Sequence, residues 1–469
     1  MSQGNAPPVP GQDVDDPPAA PAPRTWVFRD PLVGRSFRAW LYGGIALRLL
    51  LLPIGITTDT LATYWRAHLI AFHGDVYREY LVNMGSHVVH AGWLRVVQPL
   101  LGPADAMWTH PWWWADPFGL GAEHMERFLA RPDALRAIAL LKLPYVLAEL
   151  GAGLIVLRLA WGPADGLPRD PTTIARTRRT WILWMLSPAA LYATLLFARY
   201  EAFPVLAVLA ALLVAERGRT VWAAVLLGLA ITFRTYPIVL VPVFALVLYR
   251  DLLRQAAWAA LALAPFALTM LANRVVGGTF GELASVGDYS FGDNWFAFAF
   301  QPSRGGPGWY LFPAVLLAIG GYLLGRDREW WGSGPVPREH LWRWVALAHL
   351  AMFAFSQFSA HYLMWVVPAV ALVVGRTSMR GTIPLHLASV LGVFVAAFVL
   401  WGGILFTGTL GGLGDTARTL LPPGAPLSGE GGQQLANLGW TLHVVATLGI
   451  AVPLLVGTIR GDRFARAVR

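Results

Sequence analysis

Four charged residues stand where a mostly apolar chain has reason to exclude them: Asp59, Arg199, Glu201 and Arg234. Asp59 follows the apolar run Phe37 to Ile56, within the sequence Thr57-Thr58-Asp59-Thr60. A carboxylate at the mouth of a membrane helix costs free energy unless something uses it. Arg199 and Glu201 flank Tyr200 between two apolar runs, and Arg234 ends another, with Tyr236 two residues on. Charges at such places call for ionic partners or a substrate. His361 and Tyr362 open a late apolar run, and Tyr64 lies five residues beyond Asp59. A glycine-rich stretch near residue 290 carries Asp288, Asp293, Asn294, Trp295 and Arg304. Rings beside carboxylates suit sugars, whose apolar faces stack while their hydroxyls bond to acids.

Plainer readings stand beside each of these. Asp59 can cap a helix, Arg234 can snorkel to the interface, and Glu201 can pair with Arg199 or Arg234. His361 can be a polar anchor at a helix end. Glu149, in the middle of a span, is expected to make a helix–helix hydrogen bond. The pairs His87/His90 and His68/His73 lack a patterned acidic third ligand, so no metal site is assigned.

The composition says what must position these residues. Hydrophobic residues make up 56% and charged residues 13%, against about a quarter charged in soluble domains. There are no cysteines, which excludes disulfides and thiolate metal sites. Lys142 is the only lysine; the net charge of +9 comes from arginines between apolar runs and accompanies no nucleic-acid motif. Residues 1–36 read as a Pro/Ala-rich cytoplasmic tail, disordered over 1–24, and 459–469 as a basic cytoplasmic tail.

Between the tails lies one transmembrane domain, residues 37–458. Apolar runs predict about twelve spans: 37–56, 137–160, 180–198, 201–215, 220–233, 237–249, 255–273, 309–325, 343–356, 361–375, 383–406 and 438–458. With that count every arginine cluster falls on one side, from Arg24/Arg29/Arg35/Arg38 through Arg176/Arg178/Arg179 and Arg217/Arg219 to Arg376/Arg380 and Arg460/Arg463. The positive-inside rule makes that side cytoplasmic. The outer side then holds loops 57–136, 274–308 and 407–437, and the short turns carrying Arg199, Glu201, Arg234 and His361. The run 220–233 covers only about 21 Å as a helix, against about 30 Å of hydrocarbon. Its outer end and that of 201–215 should lie at the floor of an outward-open cavity. In the first outer loop, 60–73 and 86–101 have helical spacing, with a turn at Gly74-Asp75 and an anchoring tryptophan group at Trp108 and Trp112–Trp114. The fold class is an all-α polytopic membrane protein with a large first extracytoplasmic loop containing amphipathic helices.

Five stretches resemble the GT-C superfamily of membrane glycosyltransferases, and within it the mannosyltransferase-like branch that uses polyprenyl-phosphate sugars. They are TTDTLATYWRAHLIAFHGDVYREY, LKLPYVLAELGAGLIVLRLA, LWMLSPAALYATLLFARYEAFPVLAVLAALLVAERG, LLGLAITFRTYPIVLVPV and FSQFSAHYLMWVVPAVAL, in family order between residues 37 and 375. The resemblance implies inverting transfer of a hexose, with mannose the first guess, from a polyprenyl-phosphate donor to an extracytoplasmic lipid, glycan or protein acceptor. It implies Asp59 as the base, Arg234, Tyr236 and Arg199 as ligands of the donor phosphate, and Glu201, Tyr64, His361, Tyr362, Asp293 and Trp295 as substrate contacts. The Asp-x-Asp that eukaryotic-like members often show after the first helix is here Thr57-x-Asp59, which weakens the case for a divalent metal; no cofactor is assigned. The rivals are a transporter or lipid flippase, which would show matching broken helices in two halves, and an O-antigen-ligase-like enzyme, with its large outer loop late in the chain.

Overall fold

The first apolar run is helical from Gly34 to Leu51 (α1) and ends where Pro53 and Gly55 follow. The computed structural model describes residues 27–29, 34–76, 83–102, 108, 128–162, 170–278, 296–297, 310–330, 336–401 and 430–467. After α1 come α2 (Thr58–His68), α3 (Met84–Leu101), α4 (Ala134–Trp161), α5 (Pro171–Leu186) and the single turn α6 (Pro188–Leu191). Then follow α7 (Ala202–Glu216), α8 (Thr220–Phe233), α9 (Val241–Leu248), α10 (Leu252–Gly277) and α11 (Leu311–Asp327). The chain closes with α12 (Leu341–Ala354), α13 (Val367–Arg376), α14 (Thr382–Trp401) and α15 (Glu430–Ala467). Among the described residues the fold is all-helical apart from a two-residue antiparallel pairing of β1 (Phe296–Ala297) with β2 (Gln357–Phe358).

Each apolar run of the sequence contains helix. Among the described residues four helical stretches are long and apolar enough to cross a membrane: Ala134–Trp161, Leu252–Gly277, Thr382–Val399 and Glu430–Arg460. Others are shorter, among them Ala202–Glu216, Thr220–Phe233, Tyr236–Leu248 and Ala360–Arg376. Several boundaries depart from the sequence reading: the run expected from 180 is helical from Pro171, and the run 37–56 only to Leu51. The expected loop 407–437 is already helical from Glu430, and the expected tail 459–469 continues that helix to Ala467. Residues 1–26, Trp112–Trp114, Asp288, Asp293, Asn294, Trp295 and Arg304 lie outside the described residues.

Buried charge ties the helices together. Arg48 of α1 and Glu149 of α4, each 1% exposed, form a two-pronged pair at 2.5 and 2.7 Å. Arg48 also donates to the carbonyls of Gly44 and Met185, at 2.9 and 3.1 Å. Glu149 thus makes the helix–helix hydrogen bond expected of it, with a cation as its partner. Near the opposite ends of α7 and α13 from Glu201 and His361, Arg376 grips Glu216 at 2.6 and 2.7 Å.

Candidate functional site

Two irregular turns and a helix break carry the site, and each is irregular for a reason. The chain after α5 meets Pro188 and passes through a π-helical turn, Tyr192–Leu196. It then reaches Ala198 at φ +58°, a left-handed conformation that costs an alanine energy. That path frees carbonyls from helical bonding, and distant side chains take them up. Lys142 donates to Leu195 O at 2.7 Å, Thr57 to Phe197 O at 2.9 Å and Thr60 to Ala198 O at 2.6 Å. Gly55 presses so close that a Cβ there would lie 2.5 Å from Leu196 O. The start of α2 therefore fixes the turn that presents Arg199, and it brings Asp59 along.

The second turn is held by α3. Ser86 donates to Phe233 O at 3.0 Å, and a Cβ on Gly85 would sit 2.4 Å from Thr232 Oγ1. Arg234 follows at once, in extended conformation at the end of α8. The third piece is the break between α12 and the 3-10 turn Ala360–Trp365, which supplies His361, Tyr362 and Trp365.

These pieces converge. Arg199 Nη2 lies 3.6 Å from Asp59 Oδ2, with the Asp59 side chain 47% exposed and that of Arg199 13%. Arg234 reaches Glu201 Oε1 through Nε at 3.0 Å and Nη2 at 2.5 Å. The other oxygen, Oε2, accepts from Trp365 Nε1 at 2.7 Å, and His361 Nε2 stands 4.0 Å from Oε1. Tyr200 serves both cations: Arg199 and Arg234 lie 5.1 and 4.8 Å from its ring centre, and Arg234 is 5.5 Å from that of Tyr362. Such cation–ring contacts hold a guanidinium in place while leaving its N–H edge open.

The two acids therefore differ in kind. Glu201 is fully buried with both oxygens engaged, so its charge is spent on Arg234 and the Trp365 indole. Asp59 faces solvent, and among the described residues its carboxylate makes one long contact, with Arg199. Solvent can reach the Asp59 carboxylate and cannot reach that of Glu201. The cations differ likewise: Arg234 is matched by a buried carboxylate, whereas Arg199 Nε is buried without a hydrogen-bond partner among the described residues. His361 Nε2 and Tyr236 Oη are in the same condition. Buried polar atoms left without partners are uncommon and point to a missing ligand or water.

Some expected roles move. Tyr64 is fully buried and donates to Leu141 O at 2.5 Å, so it packs behind the site rather than lining it. Tyr236 stacks face to face on Trp365 at 3.6 Å and borders a small cavity with His349. His90 of α3 donates from Nδ1 to Ser86 O at 2.5 Å, so its neutral ring accepts the Tyr145 hydroxyl at Nε2, 2.7 Å away. With both nitrogens engaged His90 is no metal ligand, and burial lowers its pKa to about 4. Burial, reinforced by Arg66, His90, Arg199 and Arg234, also holds His87 well below the usual histidine range. His68 and His73 face each other with Nε2 atoms 3.1 Å apart. Among the described residues no three His, Cys, Asp or Glu side chains group as a metal site.

Lys142, Thr60, Ser86, Tyr200 and Trp365 were not singled out from the sequence as site residues. Lys142 carried a signal, as a lone lysine inside an apolar run. No family model, curated protein or solved structure matches the chain.

Proposed function

We propose that this protein is an inverting membrane glycosyltransferase that takes a hexose, with mannose the first choice, from a polyprenyl-phosphate donor. On this reading twelve helices span the membrane, both ends of the chain are cytoplasmic, and the site opens outward. The observation that carries the reading is the meeting of solvent-facing Asp59 with Arg199, 3.6 Å away, beside buried Arg199 Nε and His361 Nε2, neither of which has a hydrogen-bond partner among the described residues.

The chemistry follows from those groups. The acceptor hydroxyl attacks the anomeric carbon, its proton goes to Asp59, and the new C–O bond forms as the bond from that carbon to the phosphate oxygen breaks. The electron pair leaves with the polyprenyl phosphate. One negative charge thus passes from Asp59 to the leaving phosphate, and Arg199 stands where it can face both. Arg199 and the Nε2 of His361 hold the phosphate oxygens; Arg234, fixed by Glu201, adds a preorganised positive field that need not move during reaction. A base of this kind contributes about 10²–10⁴-fold.

The test is transfer of labelled sugar from polyprenyl-phosphate hexoses in membranes carrying wild type, Asp59→Asn or Arg199→Gln. Loss of transfer in both variants at unchanged protein level is expected. Full activity in Asp59→Asn would remove the base and overturn the mechanism.

A further inference from the structure

We propose that His443, on the last helix, is a positioning residue for this site and acts through the chain break at residues 355–359. The proposal rests on the functional reading above. α12 ends at Ala354, and a helix end leaves its last carbonyls without helical partners. Inside a membrane such groups must be satisfied by other protein atoms. His443 is fully buried, and its Nε2 meets Phe353 O at 2.9 Å. A carbonyl only accepts, so Nε2 carries the proton. The Nδ1 lone pair then accepts from Ser389 Oγ at 2.8 Å, and Ser389 in turn lies 3.3 Å from Thr447 Oγ1. The imidazole is thus locked in one tautomer and one orientation.

Its support is stiff. A Cβ on Gly392 would lie 2.4 Å from Gly439 O, and one on Gly439 would lie 2.6 Å from Gly392 O. The α14 and α15 backbones therefore touch directly. From His443 two routes lead to the site. The Phe358 ring packs on His443 and Trp440, each at 5.2 Å, and Ser359 beside it bonds His361 Nδ1 at 3.0 Å. The His361 ring then stacks on Phe197 at 4.4 Å, next to the Arg199 turn. By the second route Phe353 meets Trp365 at 6.1 Å, and Trp365 holds Glu201. Moving the break would shift His361 and Trp365 together.

Two variants separate positioning from plain stability. His443→Leu removes the donor, and His443→Gln restores an N–H toward Phe353 and an acceptor toward Ser389. In the leucine variant KM for the polyprenyl-phosphate sugar should rise about tenfold with kcat within about twofold, as for loss of binding shared equally by ground and transition states. Amides 355–361 should exchange faster with deuterium, and glutamine should recover both effects. Unchanged KM and exchange in His443→Leu would overturn the proposal. So would losses that glutamine fails to recover. If wild type transfers no sugar, exchange is read with sugar-free polyprenyl phosphate as probe. Protection of 355–361 in wild type and glutamine but not leucine would sustain the positioning role without the transferase reading. No protection in wild type would overturn it.

Discussion

Neutralising Glu201 should injure the fold, whereas neutralising Asp59 should injure only the chemistry. Glu201 is fully buried and accepts from Arg234 at 3.0 and 2.5 Å and from Trp365 at 2.7 Å. Glu201→Gln leaves the Arg234 guanidinium, 12% exposed, without its counter-charge. Breaking a buried pair from one side costs about 3–5 kcal/mol. For a chain of this length the unfolding entropy is roughly 1 kcal/mol per kelvin, so Tm should fall by about 3–5 °C. Asp59 is different: its side chain is 47% exposed and 3.6 Å from Arg199. A contact of that kind is worth about 0–1 kcal/mol, which moves Tm by about 1 °C or less. The assay is thermal unfolding of both variants in detergent, read beside transfer activity. Asp59→Asn should keep its Tm and lose about 10²–10⁴ in rate. Equal Tm losses in the two variants, or an unshifted Tm in Glu201→Gln, would refute this division of labour.

Arg48→Met should cost about 3–5 kcal/mol by stranding buried Glu149, while Arg48→Met combined with Glu149→Leu should recover most of it; denaturation of the three proteins checks the sign. The Gly55→Ala Cβ would press on the Leu196 carbonyl at 2.5 Å and displace the Arg199 turn, whereas Gly43 has nothing within 4 Å. Donor transfer should drop at least about tenfold in Gly55→Ala and stay unchanged in Gly43→Ala; equal rates would show that the turn tolerates the shift. Because burial lowers His90 to about 4, from about 6.5 in the unfolded chain, the folded state resists a proton that the unfolded state accepts. Stability attributable to His90 is therefore complete above pH 6.5 and falls as pH drops toward 4, by about 3 kcal/mol over that window. The Tm difference between pH 7 and pH 4.5 should shrink in His90→Gln, and an unchanged difference would show that His90 is not held neutral.

The helices were legible because apolar runs and their breaks record burial directly, and Pro188, Gly55 and Gly74 mark the interruptions. Helix ends were less so: Glu430 begins a helix in a stretch read as loop, since its polar first turn resembles loop composition. Within the site, Asp59, Arg199, Glu201, Arg234, His361 and Tyr362 stood out as charged or polar groups at apolar boundaries. Their partners did not. Nothing in the sequence states that Glu201 chooses Arg234 over Arg199, because that choice depends on how α7 and α8 cross. The family resemblance implied Tyr64 as a substrate contact, but helix rotation turns it inward onto Leu141. Lys142 and Thr60 act on backbone carbonyls freed by a π-turn, and no side-chain pattern announces that turn.

The most direct test of the transferase reading uses the purified protein in liposomes with a polyprenyl-phosphate hexose labelled in the sugar and a panel of lipid-linked and soluble glycan acceptors. The account predicts a glycosylated product whose new anomeric bond has the opposite configuration to the donor's, with unglycosylated polyprenyl phosphate released in equal amount. A product of retained configuration would contradict the single displacement assigned to Asp59. Absence of product with every polyprenyl-phosphate hexose would contradict the function itself.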